Sequence, residues 1–337
     1  MGGVTALYEF ANGLSRRGHA VHIAHCAFWN RPGIESLDDV SWFRFEPGIE
    51  HHVGIGGDIP LPPADVIFGT AAPPEMGLPV LIVQGFQMFP KEIEREVFRT
   101  PCLKVCVASW LMNVGTEFGV PPEQLVHVPM GLDHDRFRVT TPLDARPLQI
   151  GMLYNPHPAK GWMPGKQVLR RVHARFPEMR ALVFGSQPPD EPLPPWITFV
   201  SDPGPEALVE EVYNRCRVFV QPSFYEGFGF TAVEAMACGC ALVSTDNGGS
   251  ADYALPGETA LVAPPGDVEQ LADHVETMLR DDGERHRLAV AGVEHVQQFR
   301  WDRAAELLEG HLERYLADPA AFQLAPFDDA TATEGGS

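Results

Sequence analysis

The sequence predicts an α/β protein of two doubly wound domains, each built on a parallel sheet. Three observations predict it. Helical and strand periodicities alternate along nearly the whole chain, the pattern of parallel strands joined by crossover helices. The length of 337 residues suits two domains, at roughly 150 residues each. The stretch from Phe137 to Pro147, with Thr-Thr-Pro and Arg-Pro, reads as an interdomain linker between two such series.

The first series opens on a helix. Val4, Leu7, Phe10, Ala11 and Leu14 recur at helical spacing, and Gly18 stops the helix. Val21-His22-Ile23-Ala24 then reads as a strand. Short apolar runs at 64–68, 79–83, 105–108 and 125–128 read as buried strands. The second series has strands at 148–153, 180–185, 197–200, 217–220 and 240–244. Helical periodicity returns over 268–280 and 301–316. The tail from Ala317 has no pattern and is expected to be partly disordered. The domains are therefore drawn as 1–143, 144–300 and a tail 317–337.

Charge excludes some classes of partner. Lys and Arg number 25 against 45 Asp and Glu, a net charge of −20. That balance opposes phosphate-backbone binding and a polybasic lipid anchor. The first 150 residues hold 11 basic and 17 acidic side chains, so the second half is the more acidic. An anionic ligand there must be held by local features. Hydrophobic residues make up 45% of the chain, which excludes a disordered polymer. The six cysteines lack the paired spacing of a zinc site and read as buried thiols in a reducing compartment. No apolar run reaches the roughly 18 residues of a membrane span.

The segment richest in chemistry is Gln221-Pro-Ser-Phe-Tyr-Glu226-Gly-Phe-Gly-Phe-Thr231-Ala-Val-Glu234. A strand ends near Val220, a glycine-bearing loop follows, and a helix is expected to begin near Thr231. Free N–H groups and the dipole at a helix start attract an anion. Gly227 and Gly229 allow close approach of backbone to ligand. Glu226 and Glu234 flank the loop, and carboxylates accept hydrogen bonds from vicinal sugar hydroxyls. A second reading stays open: Thr231-Ala-Val-Glu234 fits a capping box in the first helical turn, with Glu226 a solvated loop charge.

Pro222-Ser223…Glu226-Gly-Phe-Gly…Glu234-Ala-Met-Ala-Cys-Gly resembles the signature of family 4 glycosyltransferases, the retaining group of GT-B architecture (glycosyl transferases group 1). Further segments agree with it. Gly2-Gly3-Val4 with Leu14-Ser-Arg-Arg-Gly-His-Ala-Val resembles the family's glycine loop, first helix and second strand. Val107-Ala-Ser109-Trp-Leu and Val128-Pro-Met-Gly131-Leu-Asp133…Phe137 resemble the end of its first domain. Lys160-Gly161 resembles its donor-phosphate lysine. Asp246-Asn-Gly248-Gly249 and Gly257-Glu-Thr-Ala-Leu-Val…Pro265-Gly-Asp267 resemble later loops. The likeness runs from Gly2 to about Leu316.

The resemblance implies two Rossmann-like domains facing a cleft: an acceptor-binding one, and one for a nucleotide-diphosphate sugar. The helix at 302–316 is expected to return to the first domain. Glu234 would bind the nucleotide ribose, and Glu226 would orient hydroxyls of the transferred sugar. Backbone at Gly2, Gly3, Gly227, Phe228, Gly229, Phe230 and Thr231 would meet sugar and phosphate. Lys160 would neutralise the diphosphate as it leaves, so Glu226 and Lys160 are the expected catalytic pair. The implied transfer needs no metal and no cofactor beyond the donor as co-substrate. The glycosidase logic of acid and nucleophile carboxylates is not carried over.

Three departures from the family pattern stand out. The chain starts at Met1-Gly2-Gly3, so the N-terminal sheet is expected to lack its first strand, through a misassigned or truncated start or a rearranged sheet. Met152 stands where many members have an Arg, leaving phosphate binding to Lys160 with backbone or Asn155, and His157 as a loop residue. Gln84-Gly85-Phe86-Gln87 stands where a His is common. Gln84 and His25 are the acceptor-side candidates, and Gln84 cannot carry a proton. The acceptor region is expected within 30–60 and 84–100. Asp133-His134-Asp135 mimics a metal motif of another fold, yet lies in the domain-exit segment. Gly54-Ile-Gly-Gly57 lacks a strand–helix context for phosphate.

The combined reading is a cytoplasmic hexosyl- or deoxyhexosyltransferase in carbohydrate biosynthesis, free to visit a membrane surface transiently. Its acceptor would be a glycan, a lipid-linked sugar or a small molecule, with no nucleic-acid partner. The alternatives are a GT-B phosphorylase, or a catalytically degenerate protein that binds nucleotide sugars.

Overall fold

Every strand pairing among the described residues is parallel. The structure is a computed structural model describing residues 2–25, 36–54, 59, 61–69, 76–86 and 90–322. Contacts divide the chain into two units. One comprises Met1–Val107, Leu111–Val128 and Ala304–Ser337, and the other Ala108–Trp110 and Pro129–Arg303. The segment 137–147, read as a linker, thus groups with the second unit.

The first unit opens on α1 (Gly2–Arg16), which buries Ala6, Tyr8, Phe10 and Leu14. Gly2 and Gly3 are its first residues, so the expected glycine loop is helical here. Strands β1 (His22–His25) and β2 (Glu50–Val53) form a two-stranded sheet. A separate sheet runs β3 (Val66–Phe68), β4 (Leu78–Val83), β5 (Leu103–Cys106), β6 (Leu125–His127), in that order. The expectation of one N-terminal sheet short of a strand meets two sheets, with no pairing between them among the described residues. Helices α2 (Lys91–Phe98) and α3 (Ser109–Glu117) are the crossovers into β5 and β6. All four residues of β5 are buried, Lys104 included. Its Nζ donates to the Cys102 carbonyl at 2.9 Å and to Gln124 Oε1 at 2.8 Å. Burial pulls that amine down to about 8.

The second unit holds a six-stranded sheet. The chain passes through β7 (Gln149–Leu153), α4 (Trp162–Arg175), β8 (Arg180–Gly185), β9 (Ile197–Ser201) and the short α5 (Pro205–Ala207). It continues with β10 (Val218–Gln221), α6 (Phe230–Ala237), β11 (Ala241–Thr245) and β12 (Ala260–Ala263). Helices α7 (Val268–Arg280), α8 (Asp282–Val296) and α9 (Trp301–Ala317) follow, the last crossing into the first unit's segment at Ala304. The spatial order is β12-β11-β10-β7-β8-β9. Such strands are buried on both faces and read as continuous apolar runs. Ile150, Met152, Val183, Val218, Val220, Ala241 and Val243 pack with Val168, Leu169, Val172, Leu271, Val275 and Met278 from α4 and α7.

Met152 lies wholly in this core, so it faces hydrophobic neighbours rather than phosphate. The 137–147 segment is pinned by Arg146. Its fully buried guanidinium donates to the carbonyls of Thr141, Tyr213, Cys216 and Cys238 and to Asn214 Oδ1. β2 and β12 are strands that sequence reasoning missed. β2 is polar (Glu-His-His-Val) and β12 is only four residues long.

Candidate donor site

Strands β7 and β10 are neighbours, and the strand order reverses between them: the chain proceeds from β7 toward β9 on one side and from β10 toward β12 on the other. Ligands of doubly wound sheets bind beyond the strand ends at such a switch point. Two loops emerge there, one after each strand.

The loop after β7 is a chain of small hydrogen-bonded turns. Asn155 Oδ1 accepts from the His157 amide at 2.9 Å, and His157 Nδ1 accepts from the Ala159 amide at 3.2 Å. His157 is thus the loop residue expected, and Asn155 is spent on the same turn. The 3-10 turn Pro158–Lys160 ends at Gly161, whose φ is 68°. A Cβ at Gly161 would stand 2.0 Å from the Pro222 carbonyl oxygen. The Phe224 amide donates to the Ala159 carbonyl at 2.7 Å. The turn carrying Lys160 is therefore fastened to the loop after β10.

That fastening brings Lys160 to Glu226. Lys160 Nζ donates to Glu226 Oε2 at 2.7 Å, and Ser223 Oγ donates to Glu226 Oε1 at 2.8 Å. The Glu226 side chain is 8% exposed and that of Lys160 31%. A carboxylate so enclosed needs a charge partner, because desolvating an unpaired one is expensive. The reading of Glu226 as a solvated loop charge does not hold.

A wall of backbone supports this pair. The Glu226 amide donates to the Asn247 carbonyl at 2.9 Å, and the Gly249 amide donates to the Glu226 carbonyl at 3.2 Å. A Cβ at Gly249 would lie within 2.9 Å of the carbonyl oxygens of Glu226, Gly227 and Phe228. Trp110 Nε1 donates to the Gly227 carbonyl at 3.0 Å, and its ring covers Gly248. Phe228 is buried against Phe230, Tyr253 and Phe299.

Helix α6 begins at Phe230, one residue before the expected start. Its N-cap is Gly229, with φ 98° and no side-chain cap bond. A Cβ there would sit 2.2 Å from the Tyr253 hydroxyl. The Thr231–Glu234 capping box is therefore absent, and Glu234 lies in the second turn rather than the first. The first N–H groups of a helix lack intrahelical acceptors, so the amides at Phe230 and Thr231 open an anion-binding end. Glu234 is half-buried and accepts from Tyr213 Oη at 2.8 Å. Desolvation pushes its carboxyl up to about 7, against lowering by Tyr213 and by the charge of Arg136.

Comparison with known proteins bears on this loop directly. Residues 198–295, which span it, match the family model described as glycosyl transferases group 1. This segment is similar to the group 1 glycosyltransferases. A D-inositol 3-phosphate glycosyltransferase of Corynebacterium diphtheriae is 39% identical over 113 residues, 34% of this chain and 26% of the relative. The match thus spans about a quarter of that relative's length. The fold reaches further than the sequence likeness. Sucrose-phosphate synthase from Thermosynechococcus elongatus superposes with a TM-score of 0.71 at 19% identity, over 93% of both chains. Anabaena HepE, solved with UDP and glucose, gives 0.59 at 17% identity over 71% of this chain and 72% of that one. The architecture is GT-B.

Within the group 1 segment and its supports, the structure unites Lys160, Glu226, Gly227, Phe228, Gly229, Phe230, Thr231 and Glu234 in one unit. Gly2, Gly3, Gln84 and His25 belong to the other unit. There Gln84 Nε2 donates to the Gly3 carbonyl at 3.0 Å, so two predicted residues meet each other. His25 is buried and spent: Tyr8 Oη lies 3.2 Å from its Nδ1 and His51 Nδ1 2.9 Å from its Nε2. Asp133 forms a turn, accepting from the Asp135 and Arg136 amides at 3.2 Å. Gln87, Cys26 and residues 55–57 lie outside the described residues. Sequence reasoning missed Ser223, Trp110, Tyr213 and Tyr253 as supports. Ser223 and Trp110 were inside quoted motifs, whereas Tyr213 and Tyr253 carry no local signal.

Proposed function

We propose that this protein is a retaining glycosyltransferase that moves a sugar from a nucleotide-diphosphate donor to a hydroxyl-bearing acceptor. The observation that carries this reading is the Lys160–Glu226 pair at 2.7 Å, built from the two loops that leave the sheet's switch point. In this acidic chain, one cation and the start of α6 supply the positive potential a diphosphate needs. Glu226, held by Ser223 and Lys160, keeps a fixed carboxylate to accept sugar hydroxyls. Glu234 accepts from the ribose. In transfer, the bond from the anomeric carbon to the phosphate oxygen breaks and the acceptor oxygen bonds to that carbon on the same face. The acceptor proton passes to the leaving phosphate. Lys160 stabilises the charge growing there, a role that preorganised groups fill without reorganisation and that needs no metal. The donor chemistry and the unpaired cysteine spacing support a cytoplasmic location. Among the described residues, no helix is long and apolar enough to cross a membrane.

UDP-sugars are the first donors to test, with GDP-, ADP- and dTDP-sugars beside them; a polyol phosphate is a first acceptor class. A matching donor raises the melting temperature, because binding to the native state stabilises it. Lys160→Ala and Glu226→Gln are expected to cut turnover by about 10²-fold or more, with Glu226→Gln sparing nucleotide affinity. Product anomeric configuration by NMR reads retention. No thermal shift with any nucleotide sugar would sink the reading.

A further inference from the structure

The two-stranded sheet of the first unit carries a cluster that the transferase reading does not use. β1 and β2 pair with His22 opposite Glu50, Ala24 opposite His52 and His25 opposite Val53. Side chains alternate faces along a strand. His22, Glu50 and His52 therefore share one face, while His25 and His51 share the other. On the second face the rings are stacked, their centroids 5.2 Å apart, and closed off by Tyr8 and Phe45.

The first face is different. His22 Nδ1 lies 3.1 Å from His52 Nε2 and 3.5 Å from Glu50 Oε2. One ligand atom from each residue falls within 4.8 Å of the other two. Zinc bonds of about 2.0–2.1 Å in tetrahedral geometry place neighbouring ligand atoms about 3.3–3.4 Å apart. The two shorter separations bracket that edge. Two imidazoles and a carboxylate are ligands zinc takes when a fourth position stays open to water. Exposure fits such an opening: the Glu50 side chain is 71% exposed and that of His22 25%.

We infer that the face formed by His22, Glu50 and His52 binds a divalent ion of the zinc class. The ion replaces the proton shared in the His22–His52 hydrogen bond and clips β1 to β2. The strand register already supplies the spacing, so little chain entropy is lost on binding. This inference is independent of the sugar-transfer reading, because its ligands belong to the first unit and the donor loops to the second.

The test titrates the chelator-stripped full chain with zinc chloride in a calorimeter, and with cobalt(II) as a spectroscopic reporter. The expected result is one zinc equivalent, tetrahedral cobalt bands and a raised melting temperature. His22→Ala and His52→Ala each weaken binding at least tenfold, Glu50→Gln several-fold, and His311→Ala, a histidine of α9 outside the cluster, leaves it unchanged. Circular dichroism confirms folding of each variant. In the unmutated chain, zinc is also expected to protect His22 and His52 from diethylpyrocarbonate, read by peptide mass spectrometry. No stoichiometric uptake, uptake unchanged by both histidine variants, or no protection of His22 and His52 would overturn the inference.

Discussion

Glu234 meets two opposed demands. Its carboxyl is crowded by protein, which pushes it up to about 7, yet the proposed ribose contact uses the carboxylate. The folded group holds its proton in the window between the ordinary 4.5 and about 7, where the unfolded chain has released it. Stability from this residue is therefore present at the low end of that window and is lost as pH rises through about 7. Glu234→Gln, which removes the charge and keeps the shape, is expected to raise the melting temperature by a margin that grows from about pH 5 to about pH 8. The same variant should weaken nucleotide binding at least tenfold, about 1.4 kcal/mol. Unmutated protein should bind nucleotide more tightly as pH rises across the same range, and the variant should lose that dependence. Parallel melting curves at all pH values would refute the assignment. Stability sacrificed at a ligand carboxylate is a common pattern at functional sites.

At the level of elements, two glycines set the site. Gly161 lets the Lys160 turn lie against the Pro222 carbonyl, and Gly229 lets the chain enter α6 under Tyr253. Both have positive φ, at 68° and 98°. Gly161→Ala and Gly229→Ala are each expected to cost about 1–3 kcal/mol in backbone strain, with further loss from the clash. Donor affinity should fall in both, since one moves Lys160 and the other the helix start. Melting temperature and donor titration check this together; a stable Gly161→Ala protein with unchanged donor affinity would show that the turn is not fastened as described. The same elements show where local reading stops. Thr231-x-x-Glu234 satisfies every local requirement of a capping box, yet the helix starts earlier. Tyr253 stands over the loop and admits only a residue without Cβ, and that residue is Gly229. A residue 24 positions downstream thus overrides the local signal, and no window around Thr231 contains it.

Across the whole molecule, the sheets differ in how much support they have. Two-stranded sheets are marginal alone, whereas a six-stranded sheet with helices packed on it is cooperative. Amides of β1 and β2 are therefore expected to exchange with solvent at least about 100-fold faster than those of β10 and β11. Native-state hydrogen exchange measures this, and equal protection would mean that the N-terminal strands draw support the pairing does not show. The acidic balance is also sharpened at this scale. A net charge of −20 excludes a general field for anions, and the cation proposed for the donor is one lysine placed by a sheet reversal.

The sequence by itself determined the alternation of strand and helix and most strand positions in the second unit, and it singled out Glu226, Glu234 and Lys160 as candidates. Those follow from apolar periodicity and from short motifs, which local physics writes into contiguous residues. Tertiary structure alone decided that Lys160 and Glu226 are partners, though they stand 66 positions apart. It also placed Met152 in the core, closed His25 off behind Tyr8, and gathered His22, Glu50 and His52 on one face. Each of these depends on strand order or register. Pairing brings distant side chains within a few ångströms, and the periodicity of one segment carries no record of its neighbour.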